Sequence, residues 1–390
     1  MAQLNEKFPV DGELTASGGR AKIYRQTLER FFGPVAWELY KDKTVTEILI
    51  NGHDQIFVER KGQLQKLEKP GFPSEAALQA AVNNVAEYVN RRLDDRHHSM
   101  DARLPEPECF RIHVIGPPCS RNGIVVSIRK FSQNELTIEE LVRNQSISEP
   151  ASQFLDVAVR LHRNILVSGG TGSGKTSMLN ALSASIPTTE RIVVIEDSSE
   201  LRLRQPHTIY LESRPARRDG SGAVTIRDLF VDSLRMRPDR IIVGEVRRGE
   251  ALDLVQSMLS GHDGAMSTVH ASSASLALIR LETLCLMTEI ELPVYVARTQ
   301  VASAIHLIVH VARLSSGVRR VTEITEVRGL DSEQRYVTST LFRRARESDS
   351  GVPELLPTGE QCQFADDVLE SGAWKSAPLC IDLFRDRKVT

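Results

Sequence analysis

The stretch GGTGSGKT, Gly169 through Thr176, decides the fold. It fits the pattern G-x-x-x-x-G-K-[ST] and sits where that pattern must sit. Before it, Arg163-Asn164-Ile165-Leu166-Val167-Ser168 reads as a buried strand. After it, Thr176 to Leu182 reads as an amphipathic helix that stops before Pro187. Strand, glycine loop and helix start together make an anion cradle. Glycines let successive backbone N–H groups turn toward phosphates, and the helix N-terminus adds its positive end. The pattern assigns Gly169, Gly170, Thr171, Gly172, Ser173, Gly174, Lys175, Thr176 and Ser177 to nucleotide binding. Lys175 is placed to neutralise the β- and γ-phosphates and the Thr176 hydroxyl to ligate magnesium, so ATP and Mg2+ are the expected ligands.

Outward from this loop the chain changes character twice. From about Ala151, helices alternate with short apolar strands at Asn164–Val167, Arg191–Ile195, Arg240–Val243 and Ala265–Val269, which implies a mostly parallel sheet covered on both faces. Ile305–Val311 and Arg320–Val327 fit a closing hairpin. Residues 21–132 carry their own strands and a helix over 74–92, enough for a smaller α/β domain. Residues 133–150 read as a linker with one short helix around Ile138–Arg143, residues 1–20 as a flexible N-terminus and residues 346–390 as a polar tail with an amphipathic piece near Phe364–Leu369.

With 49 basic and 51 acidic residues, the charge gives no general push toward nucleic acid. Five cysteines without a C-x-x-C pair argue against a zinc module and against a secreted disulfide framework. No apolar run approaches a membrane span and the N-terminus lacks a signal core, so a cytoplasmic setting is expected, with membrane contact only through partners.

Three further segments carry chemistry. Arg191 to Asp197 is an apolar strand ending in Glu196 and Asp197, and strand C-termini face the ligand crevice in a parallel sheet. Both acids are therefore expected to point at the phosphates, holding a magnesium-bound water or the attacking water. Arg240-Ile241-Ile242-Val243-Gly244-Glu245 ends in a glycine where most phosphate-loop ATPases have aspartate, which leaves Glu245 as the base or water-orienting group. His270 ends another apolar strand on the ligand side and is expected at the γ-phosphate. Arg235, Arg237, Arg240, Arg247 and Arg248 bracket Glu245, and Arg103, Arg111 and Arg129 fall in the first domain; all are candidates for stabilising the transferring phosphoryl group, and spacing alone does not choose among them.

The order of motifs resembles the secretion-system ATPase superfamily, whose members power type II secretion, type IV secretion and type IV pili. VVIEDSSEL looks like its Asp box, RIIVGE its Walker B strand and STVHASS its His box. TVTEILINGHDQIFVERKGQL, MDARL, SIRKF and PVYVARTQVASAIHLIVHVARLSSGVRRVTEITEV are similar to the CpaF/TadA branch, which drives Tad (Flp) pilus assembly. The resemblance implies a RecA-like phosphate-loop ATPase domain over 151–345 behind a smaller, PAS-like α/β domain. It implies a homo-hexamer acting on inner-membrane platform proteins from the cytoplasmic face, with no direct nucleic-acid contact. By position it makes Glu196 the Asp-box acid, Glu245 the catalytic glutamate and His270 the His-box histidine, with Arg111 and Arg129 closing over the phosphates. Glu106 to Phe110 departs from the branch's short turn, and Arg248 stands where it usually has glycine. A type IV secretion or conjugation ATPase shares the core motifs, and an ATP-binding scaffold with little hydrolysis is the alternative of a different class.

Overall fold

Strand residues that are apolar without alternation must find cover on both sides, and the segments around the phosphate loop do. In the computed structural model, β7 (Ile165–Gly169) sends Ile165 and Val167 into one core and Leu166 into a second. β8 (Ile192–Glu196) divides likewise, Ile192 and Val194 against Val193 and Ile195. The structure describes residues 24–344 and 354–384, apart from 61, 90, 95–96, 105–109, 131–135, 215 and 217–220. The expected flexible N-terminus and most of the Glu106–Phe110 departure lie outside the described residues.

Two compact units divide the chain, one up to Gln133 and one from Asn134. The first contains a helix over residues 24–31 (α1), α2 (Ala36–Tyr40), α3 (Glu75–Tyr88) and six strands. These are β1 (Val45–Asn51), β2 (Gln55–Arg60), β3 (Gln63–Lys66), β4 (Ser99–Arg103), β5 (Arg111–Ile115) and β6 (Val125–Arg129), in the order β3-β2-β1-β6-β5-β4. All neighbours are antiparallel. Leu28, Leu78, Val82 and Val85 from the helices pack with Ile48, Ile50, Ile112 and Val126 from the sheet. The helix expected over 74–92 starts at a Ser74 cap, whose hydroxyl accepts the Ala77 N–H at 3.2 Å, and stops at Tyr88.

The second unit holds a nine-stranded mixed sheet. Its parallel part runs β12 (Leu307–Arg313), β7, β11 (Met266–His270), β10 (Arg240–Val243), β8 and β9 (Thr208–Glu212). Beyond β12, β13 (Arg319–Leu330), β14 (Tyr336–Arg344) and β15 (Leu355–Pro357) continue it antiparallel. The expected strands and the hairpin are all present. Helices α4 (Ile138–Arg143), α5 (Glu149–Arg160), α6 (Lys175–Ser183), α7 (Ile226–Ser233), α8 (Glu250–Met258), α9 (Ala274–Cys285) and α10 (Val294–Ala304) complete the crossovers and the cover.

Two segments contain their expected helical pieces but are packed into the core rather than standing as linker and tail. The short helix of the linker is α4, closed by a Thr137–Glu140 capping box, and Leu141 and Ile147 bury their side chains in the core of the second unit. The polar tail is also structured. Its described part forms β15 and α11 (Ala365–Ser371), and it buries Phe364, Val368 and Phe384. Phe154 of α5 lies 5.7 Å from Phe364 and 6.1 Å from Phe384, ring centre to ring centre. A few large aromatic side chains outweigh the polar composition around them, because each removes so much apolar surface from water. Phe384→Ala is therefore expected to destabilise the second unit by about 3 kcal/mol. A denaturant midpoint equal to wild type would show that the segment is a dispensable tail.

Candidate nucleotide site

The loop is shaped by what surrounds Gly169. In the parallel sheet this residue sits between His270 of β11 and Val311 of β12. A Cβ on Gly169 would lie 2.3 Å from the Val311 carbonyl oxygen and 2.5 Å from Ser173 Oγ, so only glycine fits. Gly172 and Gly174 have φ of +66° and +97°, the left-handed region that side chains disfavour. Gly174 caps α6, whose first N–H groups have no partner within the helix. Gly170, Thr171, Gly172 and Ser177 are exposed, Thr176 is half-buried, and Ser173 is buried with its hydroxyl lacking a hydrogen-bond partner. An exposed turn of N–H donors at the head of a helix is the shape that an oligophosphate requires.

Lys175 opens α6 and is only 8% exposed. Its ammonium donates to the Gly170 carbonyl at 3.2 Å and lies 3.8 Å from Glu245 Oε1. Both ring nitrogens of His270 are 3.4 Å away. His270 Nε2 in turn stands 2.8 Å from Glu245 Oε1. Burial first, and then Lys175, Arg247 and Arg280, push the imidazole below its ordinary pKa against the pull of Glu245, so it is neutral at pH 7. Arg247 holds the other oxygen of Glu245, with Nε at 2.6 Å and Nη2 at 2.5 Å, and reaches Asp197 Oδ2 with Nη1 at 2.6 Å. One guanidinium thus bridges the acids that follow β8 and β10.

Glu196 is placed differently from its neighbour Asp197. It is 3% exposed, and its Oε1 accepts the N–H groups of Glu200 at 2.9 Å and Leu201 at 3.0 Å. Burial raises its pKa to about 7 against these two hydrogen bonds, and Glu200 and Glu212 add to the rise. Its side chain also explains Gly244. A Cβ there would come 2.9 Å from Glu196 Cγ and 3.2 Å from its Oε1, so the aspartate common at this strand end has no room.

Of the residues singled out from sequence, the structure brings together Lys175, Glu245, His270 and Arg247, with Asp197 joining them. Arg111 and Arg129 belong to the first unit. They face each other across β5 and β6, next to Arg103 on β4, and Arg111 Nη2 lies 3.6 Å from Asp101. Sequence reasoning missed Arg319, at the start of β13, whose Nε donates to the Gly172 carbonyl at 2.8 Å. The only signal was a basic residue at the foot of a hairpin whose place beside β7 the local pattern does not reveal.

The family model described as type II/IV secretion system protein matches residues 32–362. The conjugal transfer protein TrbB of Rhizobium radiobacter is 32% identical over 291 residues, covering 74% of this chain and 85% of its own. The type IV secretion system protein PtlH of Bordetella pertussis is 34% identical over 303 residues, covering 71% and 88%. Among solved structures, the pilus retraction motor PilT with bound ADP superimposes with a TM-score of 0.51 at 17% identity, over 90% of this chain and 88% of that one, a likeness of fold. The match runs from the first unit through the phosphate loop into the C-terminal segment, and the chain belongs to the type II/IV secretion system protein family.

Proposed function

We propose that the protein is an ATP-hydrolysing motor of a bacterial secretion or pilus machine, acting as a homo-hexamer. The observation that carries this reading is the convergence of Lys175, Glu245, His270 and Arg247 at the phosphate loop. It takes the second unit as RecA-like and the first as PAS-like. Bound ATP with Mg2+ supplies the phosphoryl group to be transferred. Lys175 turns from the Gly170 carbonyl to the β- and γ-phosphates, and the Thr176 hydroxyl is the ligand this chain offers to magnesium. Glu245 accepts the proton of the attacking water, and neutral His270 donates toward the γ-phosphate. Arg247 holds Glu245 in place, and Arg111 and Arg129 add positive charge for the transition state.

Within that class we assign the motor to Tad (Flp) pilus assembly through inner-membrane platform proteins, on the strength of the N-terminal and C-terminal segments that are similar to the CpaF/TadA branch. In this reading it works at the cytoplasmic face and touches no nucleic acid directly. No described helix is long and apolar enough to cross a membrane. The names of TrbB and PtlH favour a second reading, a motor of conjugal transfer or type IV secretion. Deleting the gene separates the two: loss of pili with conjugal transfer intact supports the first, and the reverse overturns it.

Three variants test the site. Lys175→Ala should abolish measurable ATP binding with the fold intact, and unchanged affinity would sink the nucleotide assignment. Glu245→Gln should still bind ATP while turnover falls about a hundredfold or more. Near-normal turnover there, with collapse in Glu196→Gln, would exchange the roles of the two acids. Glu196 also gives a pH signature. Its folded pKa, about 7, stands above the ordinary 4.5, so the stability it contributes is full below about pH 4.5 and is lost as pH rises to about 7. Glu196→Gln, always neutral, should gain on wild type in denaturant midpoint across that window and hold a constant difference above it. A difference independent of pH would show that the carboxyl is ionised when buried.

A further inference from the structure

The hairpin of β12 and β13 ends against the phosphate loop, on the flank opposite Glu245 and His270. β7 lies between β12 and β11 in the sheet, so the acid–imidazole cluster comes from one side and the hairpin from the other. Arg313 and Arg319 face each other as the last pair before the hairpin's turn, where the chain reverses through Gly317 at φ +82°. Arg319 Nε donates to the Gly172 carbonyl, and its Cδ lies 3.2 Å from where a Cβ of Gly174 would stand. Arg313 Nη1 lies 3.7 Å from the corresponding point on Gly172. The two guanidinium side chains therefore rest on the two left-handed glycines of the loop.

The orientation of one peptide group follows. In a trans peptide, C=O and N–H point in opposite directions. With the Gly172 carbonyl held outward by Arg319, the N–H of Ser173 is turned inward. There it meets the Gly170 carbonyl oxygen at 3.3 Å, the same oxygen that accepts from Lys175 Nζ at 3.2 Å. A backbone N–H and an ammonium converge on one oxygen, as they would on a phosphate oxygen. We propose that Arg319 is a positioning residue of the nucleotide site, which keeps the Ser173 N–H aimed into the cradle through its bond to the Gly172 carbonyl, with Arg313 bracing the same turn. The proposal rests on the nucleotide reading above.

The test is ATP affinity, measured by titration on the full chain, for Arg319→Ala, Arg319→Gln and Arg319→Lys beside Lys175→Ala. Loss of one hydrogen bond to a charged donor should weaken binding about tenfold in the alanine variant. Glutamine keeps an N–H donor without the charge and should bind within about threefold of wild type. A merely structural role predicts a lower melting temperature in all three variants and no recovery of affinity by glutamine. Wild-type affinity in Arg319→Ala, with Lys175→Ala not binding, would overturn this proposal alone. Recovery by lysine but not by glutamine would also overturn it, since charge rather than the bond to Gly172 would then matter. Normal binding by Lys175→Ala would instead overturn the nucleotide reading itself. If the alanine variant fails to fold, the glutamine and lysine variants still decide.

Discussion

A buried ammonium group needs compensating charge or dipole, and the organisation of the site follows from how Lys175 obtains it. The side chain is set at the first position of α6, where the helix contributes positive rather than negative potential. Compensation has to come from outside the helix, and it comes from the loop itself and from the C-terminal ends of β10 and β11. Gly170 offers a carbonyl, Glu245 a carboxylate and His270 an uncharged ring. Each is a weaker partner than a phosphate would be. A carboxylate already shared with Arg247 leaves Lys175 free to exchange partners at small cost.

The same logic separates two glutamates that look alike in sequence. Glu245 stays at the loop, between Lys175, His270 and Arg247. Glu196, on the next strand, is enclosed, and its oxygen is spent on two backbone N–H groups that shape the turn after β8. Its stem fills the space over Gly244, so the missing aspartate of one strand and the buried acid of the other are a single packing arrangement.

Much of this was legible in the sequence, for identifiable reasons. The phosphate loop, the buried parallel strands and the acids at their ends are local patterns with strong residue preferences. β9 and β14 were missed because they are only partly buried and mix apolar with polar residues, so no clear period stands out. In the C-terminal segment only the amphipathic piece near Phe364–Leu369 stands out, because serine, glycine and acidic residues dominate the rest and hide that Phe384 is anchored in the core. Arg319 was beyond reach because its role depends on β12 pairing with β7. Strand order is decided by the whole sheet and is not written in any one stretch.

That pairing has a consequence for biogenesis. Ser168, the residue before the loop, touches His310 at 2.9 Å across 142 positions of chain, and Gly172 meets Arg319 across 147. Contacts so distant in sequence form late, because the intervening chain must first be ordered. During synthesis, β7 and the loop leave the ribosome well before the strand that completes their flank exists. The nascent chain at that stage carries an open apolar edge and an unbraced glycine turn, and the loop gains its second flank only once translation has passed the hairpin.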